Sequence, residues 1–216
     1  MYEFTNQPGY FTLNIQRMKI IIIGASGTLG KHISLALQSG NHEIITAGRN
    51  SGDLQIDIDS PESIEAFFKK VKHFDALICA AGSGHFGPLK SMTTKDFMKG
   101  VNSKLMGQVN LVLIGQHHIN AKGSFTLTSG ILSDDPIVNG ANLSTINGAI
   151  NAFVTGAAVE LENDVRINVV SPGVVEDSPA LHAAFPGHTP VAMDKVARAY
   201  IRSVLGAGTG QIIKVY

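Results

Sequence analysis

Beyond residue 18 the chain alternates short unbroken apolar runs with longer amphipathic stretches, the pattern of strands and helices wound about a parallel sheet. Apolar runs without alternation mark strands covered on both faces. Seven runs are predicted as strands: "KIIII" (19–23), "EIITA" (43–47), "LQIDI" (54–58), "ALICA" (76–80), "SFTLT" (124–128), "RINVV" (166–170) and "QIIKV" (211–215). Apolar spacing of three and four predicts helices over 29–38, 61–71, 94–118, 141–161 and 194–204. The second opens on Ser60 and Pro61, a cap candidate followed by a proline at the first helical position. Val101, Leu105, Val109 and Val112 form a stripe on the third, wider than one sheet face needs, so a homodimer or homotetramer built on these helices is expected.

Length and composition narrow the class. At 216 residues one α/β domain is expected, over 18–216. Residues 1–17 show neither periodicity; they are either an arm that packs on the domain or an upstream extension, with the functional chain starting near Met18. Lys plus Arg equals Asp plus Glu at 17 each, so no basic stripe is available for nucleic acid. No run approaches the roughly 20 apolar residues of a membrane span. The single cysteine, Cys79, lies in an apolar run and is expected to be buried and inert, in keeping with a reducing, cytoplasmic setting. No metal-ligand spacing occurs among His, Cys and acidic residues.

The strongest chemical signal is "IIIGASGTLGKHISLAL", a strand running through a glycine turn into an amphipathic helix. At such a junction the backbone N–H groups and the positive helix end face a pyrophosphate, and Gly24, Gly27 and Gly30 remove side chains that would block the approach. Dinucleotide binding is predicted, with Ser26, Thr28 and Leu29 on the same turn. At the end of the second strand, where NAD-specific folds carry an acid for the ribose 2'-hydroxyl, stand Ala47, Gly48 and Arg49. A guanidinium suits a 2'-phosphate, aided by Asn50, Ser51 and Ser26, so NADP(H) is preferred to NAD(H). The alternative is that Arg49 is solvated and Asp53 supplies the acid.

With "GASGTLG" at the first turn, "CAAG" at 79–82, "GSFTLTSG" at 123–130 and "RINVVSPGVV" at 166–175, the chain resembles the short-chain dehydrogenase/reductase family. The resemblance implies one Rossmann-type, doubly wound domain with a seven-stranded parallel sheet, and oxidoreductase chemistry on a small carbonyl or alcohol. It implies that Asp57 and Ile58 flank the adenine, that Ala80, Ala81 and Gly82 line the adenosine ribose, and that Pro172, Gly173 and Val175 belong to the cofactor site.

The family's catalytic pattern is broken. Its Tyr and Lys, four apart, fall on Leu143 and Asn147 of "ANLSTINGAINAF", and neither can transfer a proton near neutrality. Ser129 remains at the strand end. The family's Asn position, three before a glycine, falls on Lys104 of "VNSKLMGQ", as though lysine and amide had exchanged places; alternatively Asn102 is the family amide and Lys104 a solvated helix lysine. Ser129, Lys104 and Asn147 are thus the catalytic candidates of an atypical oxidoreductase, the other outcome being a cofactor-binding sensor or scaffold without turnover. His85, after "CAAGSG", and His182 and His188 are the loop histidines within reach of a substrate, each more typical of a surface position. The run from Glu176 to Met193 is expected to form a lid, with Phe185 and Pro186 as apolar wall.

Overall fold

The structure, a computed structural model, describes residues 17–216; the segment 1–16, and with it the expected arm or extension, lies outside the described residues. Strands β1 (Lys19–Ile23), β2 (Glu43–Gly48), β3 (Leu54–Gln55), β4 (Phe74–Cys79), β5 (Ile119–Thr128), β6 (Arg166–Pro172) and β7 (Ile212–Val215) form one parallel sheet in the order β3-β2-β1-β4-β5-β6-β7. The order reverses between β1 and β4, which is where doubly wound sheets hold ligands, at the carboxyl ends of the strands.

Both sheet faces are covered. Ile21 and Ile23 of β1 pack under α2 (Pro61–Val71), α4 (Gly107–Gly115) and α5 (Ala141–Ala157), while Ile20 and Ile22 pack under α1 (Thr28–Gln38) and α7 (Met193–Leu205). This two-sided burial is why "KIIII" carries no polar alternation. The Ser60 side chain accepts the Ser63 N–H at 3.2 Å with Pro61 in the first helical turn, as the cap pattern predicts.

Three elements differ from the sequence-based expectation. The run 54–58 pairs as a strand only over Leu54–Gln55, because the Asp57 N–H donates to Ser63 Oγ at 2.9 Å and leaves the ladder. The helix expected over 94–118 is α3 (Thr94–Gly100), a π-helical segment Val101–Met106, and α4. Glycines bracket the π segment because neighbours press on it: a Cβ on Gly100 would lie 2.1 Å from Asn142 Oδ1, and one on Gly107 would lie 3.1 Å from Ile58 Cδ1. Finally, of the Val101 to Val112 stripe Val101, Leu105 and Val109 are half-buried and only Val112 is buried. Val112 is buried with Leu111, and it is Leu113 that stands exposed beside a groove lined by Phe153, Gly156 and Leu161 of the neighbouring segment. Among the described residues no helix is long and apolar enough to cross a membrane.

Candidate active site

Among the described residues, two cavities at the carboxyl ends of the strands hold the expected site residues. The larger, about 620 Å³, runs from the β1–α1 turn along the end of β2, and the smaller, about 260 Å³, lies between β5, β6, α5 and the segment from Val174 to Phe185. Gly24, Ser26, Gly27, Arg49, Asn50, Ser51, Asp57, Ile58, Ala80, Ala81 and Gly82 line the first. Thr28, Leu29, Lys104, Ser129, Asn147, Pro172, Gly173 and Val175 line the second. Gly30 lines neither: a Cβ there would fall 2.1 Å from Gly24 O, so this glycine lets α1 pack onto the turn rather than facing a ligand.

The turn itself is built for an anion. Gly24 has φ 84° and donates its N–H to Ala47 O at 2.8 Å, which pulls the turn onto the end of β2. A Cβ on Gly27 would meet only Gly24 O, at 3.3 Å, so the rest of its surroundings is open space. Helix α1 has no side-chain cap and no acid in its first turn, leaving its first N–H groups free for a phosphate. A pyrophosphate fits this cradle on its geometry and its charge.

At the adenosine end, Arg49 donates through Nη2 to Asp57 Oδ1 at 2.6 Å and to Asp59 Oδ2 at 2.8 Å. The Asp57 hydrogen bond, then that of Asp59, raises the guanidinium pKa, and in return Arg49 lowers that of Asp57. Asp59 was not foreseen; it is ten residues from Arg49 and meets it only through the turn after β3. Ser26 and Ser51 share a hydroxyl–hydroxyl bond of 2.8 Å across the same rim. Asp53 is turned away from the ribose site, accepting from the Thr46 N–H at 2.8 Å and hydroxyl at 2.7 Å, which hold its pKa down.

In the second cavity the structure brings Lys104, Asn147 and Ser129 together. The Lys104 ammonium donates to Asn147 Oδ1 at 2.7 Å and to the Ser129 carbonyl at 2.9 Å. Among the described residues no carboxylate pairs with it, and burial pushes its pKa down to about 8. Asn147 Nδ2 in turn donates to Gly130 O at 3.3 Å. Ser129 Oγ is buried and has no hydrogen-bond partner among the described residues. Asn102 is exposed and lines neither cavity.

A residue the sequence did not flag secures this arrangement. Gln108, fully buried, donates through Nε2 to Lys104 O at 3.1 Å and to Thr128 O at 2.9 Å, and accepts the Thr128 N–H through Oε1 at 2.8 Å. Its amide stands where a neighbouring strand would bond β5, and it fixes the π segment to the strand end that carries Ser129. The available signal was a glutamine inside an otherwise apolar helix face.

Leu143 lines the second cavity, and Gly84 is shaped to it, since a Cβ there would lie 2.4 Å from Leu143 Cδ2. Phe185 joins the same wall; Pro186 does not. His85, His182 and His188 line neither cavity: the His85 N–H donates to Asn142 Oδ1 at 2.8 Å, His182 Nε2 lies 3.0 Å from Val175 O, and His188 Nε2 lies 3.3 Å from Asp135 Oδ2. No cluster of three potential metal ligands occurs among the described residues.

Fold and turn define a doubly wound α/β protein with a dinucleotide-type cradle. Residues 30–205 match the family model described as Enoyl-(Acyl carrier protein) reductase, and the chain belongs to this family of short-chain dehydrogenase/reductase oxidoreductases, which bind nicotinamide cofactors. It is 25% identical over 222 residues to Short-chain dehydrogenase/reductase ATR9 of Stachybotrys chlorohalonatus (strain IBT 40285), covering 89% of this chain and 85% of that one. The solved structure of the protein lin1944 from Listeria innocua is similar at 48% identity and TM-score 0.90, covering 92% of this chain and 100% of that one. A small-chain dehydrogenase in complex with NADPH is similar at 26% identity and TM-score 0.83, covering 92% and 96%.

Proposed function

We propose that the chain is an NADP(H)-dependent oxidoreductase of a small carbonyl or alcohol in the cytoplasm, with Lys104 carrying the proton that the family pattern gives to a tyrosine. The observation that carries this is the Lys104 ammonium, set in the second cavity between Asn147 Oδ1 and the Ser129 carbonyl and beside the unpartnered Ser129 Oγ. An ammonium has three donors. Two are held by uncharged acceptors, which serve the amine as well as the ammonium, and the third is left for a substrate oxygen.

When bound, the reduced nicotinamide supplies a hydride to a carbonyl carbon held in this cavity. Ser129 Oγ and the free Lys104 N–H bind the carbonyl oxygen and stabilise the negative charge that grows there. Lys104 then gives that oxygen its proton and is left as the neutral amine; the reverse reaction requires the amine as base. With its pKa at about 8, the lysine populates both forms near neutrality, as a general acid–base group must. NADP(H) is preferred on three grounds: Arg49 at the end of β2, Asp53 tied to Thr46, and a similar protein solved with NADPH.

A sensor or scaffold without turnover is favoured by one observation, the apolar Leu143 at the family's tyrosine position. NADPH oxidation over a panel of aldehydes and ketones, run beside cofactor affinity, separates the two. Turnover in the wild type that Lys104→Met abolishes, with cofactor affinity within a few-fold, is expected. Tight NADPH binding with no turnover on any carbonyl would leave the sensor.

A further inference from the structure

We infer that the second cavity, working as the oxidoreductase site proposed above, takes a compact aldehyde or ketone whose reacting oxygen is its only polar group. Five polar side chains line the cavity, those of Thr28, Lys104, Ser129, Asn147 and Ser178, and three of them meet at its Lys104 end. Asn147 spends its oxygen on Lys104 and its nitrogen on Gly130 O. At this end that leaves one Lys104 N–H and the Ser129 hydroxyl as partners for the two lone pairs of a single carbonyl oxygen. The other two hydroxyls on the wall, of Thr28 at the first residue of α1 and Ser178 before α6 (Pro179–His182), come from other elements than the Lys104–Asn147–Ser129 group.

The rest of the wall is hydrocarbon: Ile131, Leu132, Leu143, Val174, Leu181 and Phe185. A second hydroxyl or amide placed against these six side chains would lose its water and find no partner among them. A cationic substrate such as an iminium would meet the Lys104 charge in a site of low polarity. Size points the same way, because about 260 Å³ must also admit the nicotinamide beside Thr28, Leu29 and Pro172. Leu143 therefore has a role of its own: it supplies apolar surface where a tyrosine would present a hydroxyl, and Gly84 gives it room.

The test compares cyclohexanone with 4-hydroxycyclohexanone, which adds one hydroxyl to the same ring. Dissociation constants are measured by ligand-observed NMR on the wild-type chain, with and without oxidised NADP, where no reduction can consume the ketone. Turnover with NADPH follows separately. We expect cyclohexanone to bind at least about tenfold tighter, equivalent to about 1.4 kcal/mol, and Leu143→Ser to narrow the gap by giving the second hydroxyl a partner. Equal or tighter binding of the hydroxy ketone overturns the inference, as does failure of both to bind. Preferential binding of cyclohexanone without reduction upholds the apolar pocket while removing the oxidoreductase function.

Discussion

Replacing Lys104 by methionine should change how stability depends on pH, in a direction set by the burial of its ammonium. Burial lowers the ammonium from its ordinary 10.5 to about 8. That gap corresponds to roughly 3 kcal/mol of cost for the charged form in the folded chain. Below pH 8 both folded and unfolded chains hold the proton, so the folded state bears the whole cost. Between about 8 and 10.5 the folded chain releases its proton first, the unfolded chain binds more protons, and stability rises with pH. Methionine has no such term. It leaves Asn147 Oδ1 and the Ser129 carbonyl without the lysine, a loss of about 1–3 kcal/mol that does not vary with pH and cancels in the slope. Urea unfolding of both proteins without cofactor should therefore show the wild type gaining roughly 2–3 kcal/mol on Lys104→Met between pH 7 and pH 10. Parallel stability curves over that range would mean that Lys104 is an ordinary solvated lysine, and the acid–base role would fall with it.

Gly27→Asp should abolish dinucleotide binding while leaving the far-ultraviolet circular dichroism unchanged, because its side chain enters the open side of the cradle and repels the pyrophosphate; retained NADPH affinity would remove the cradle from the account. Arg49→Ala should weaken NADPH more than NADH in a fluorescence titration, since only the phosphorylated ribose uses the guanidinium, and Asp59→Asn should shift the preference the other way by freeing Arg49 from one carboxylate. The chain should sediment as a homo-oligomer at micromolar concentration, with Leu113→Asp shifting it towards monomer; a wild-type monomer would contradict the helix-mediated contact.

What the sequence revealed and what it hid have separate physical causes. The strands were legible because both faces of the sheet are buried, so Ile20 to Ile23 read as one apolar run, and the glycine turn was legible because its geometry demands glycine at Gly24. The π segment was not. Periodicity records which face is apolar but not which carbonyl each N–H reaches, and the Gln108 side chain that also bonds Lys104 O leaves no mark in it. For the same reason Ile56 and Ile58 looked like strand residues although Ser63 had captured the intervening N–H. The Lys104–Asn147 contact joins residues 43 positions apart, and no local rule links them; only the family pattern puts the two segments at one site. Arg49 illustrates the converse case: its charge was visible, while the carboxylates that hold it came from a turn whose path the residue types alone do not set.

The central claim is that Lys104 carries the proton of a nicotinamide-dependent reduction. Its most direct test is the pH dependence of kcat for carbonyl reduction by NADPH, measured on the wild type with the best substrate of the panel. Reduction consumes the ammonium, so the rate should be level at lower pH and fall tenfold per pH unit once the pH passes about 8, and Lys104→Met should show no turnover at any pH. A profile that stays flat to pH 10, or a Lys104→Met protein that turns over with the wild-type profile, would contradict the account.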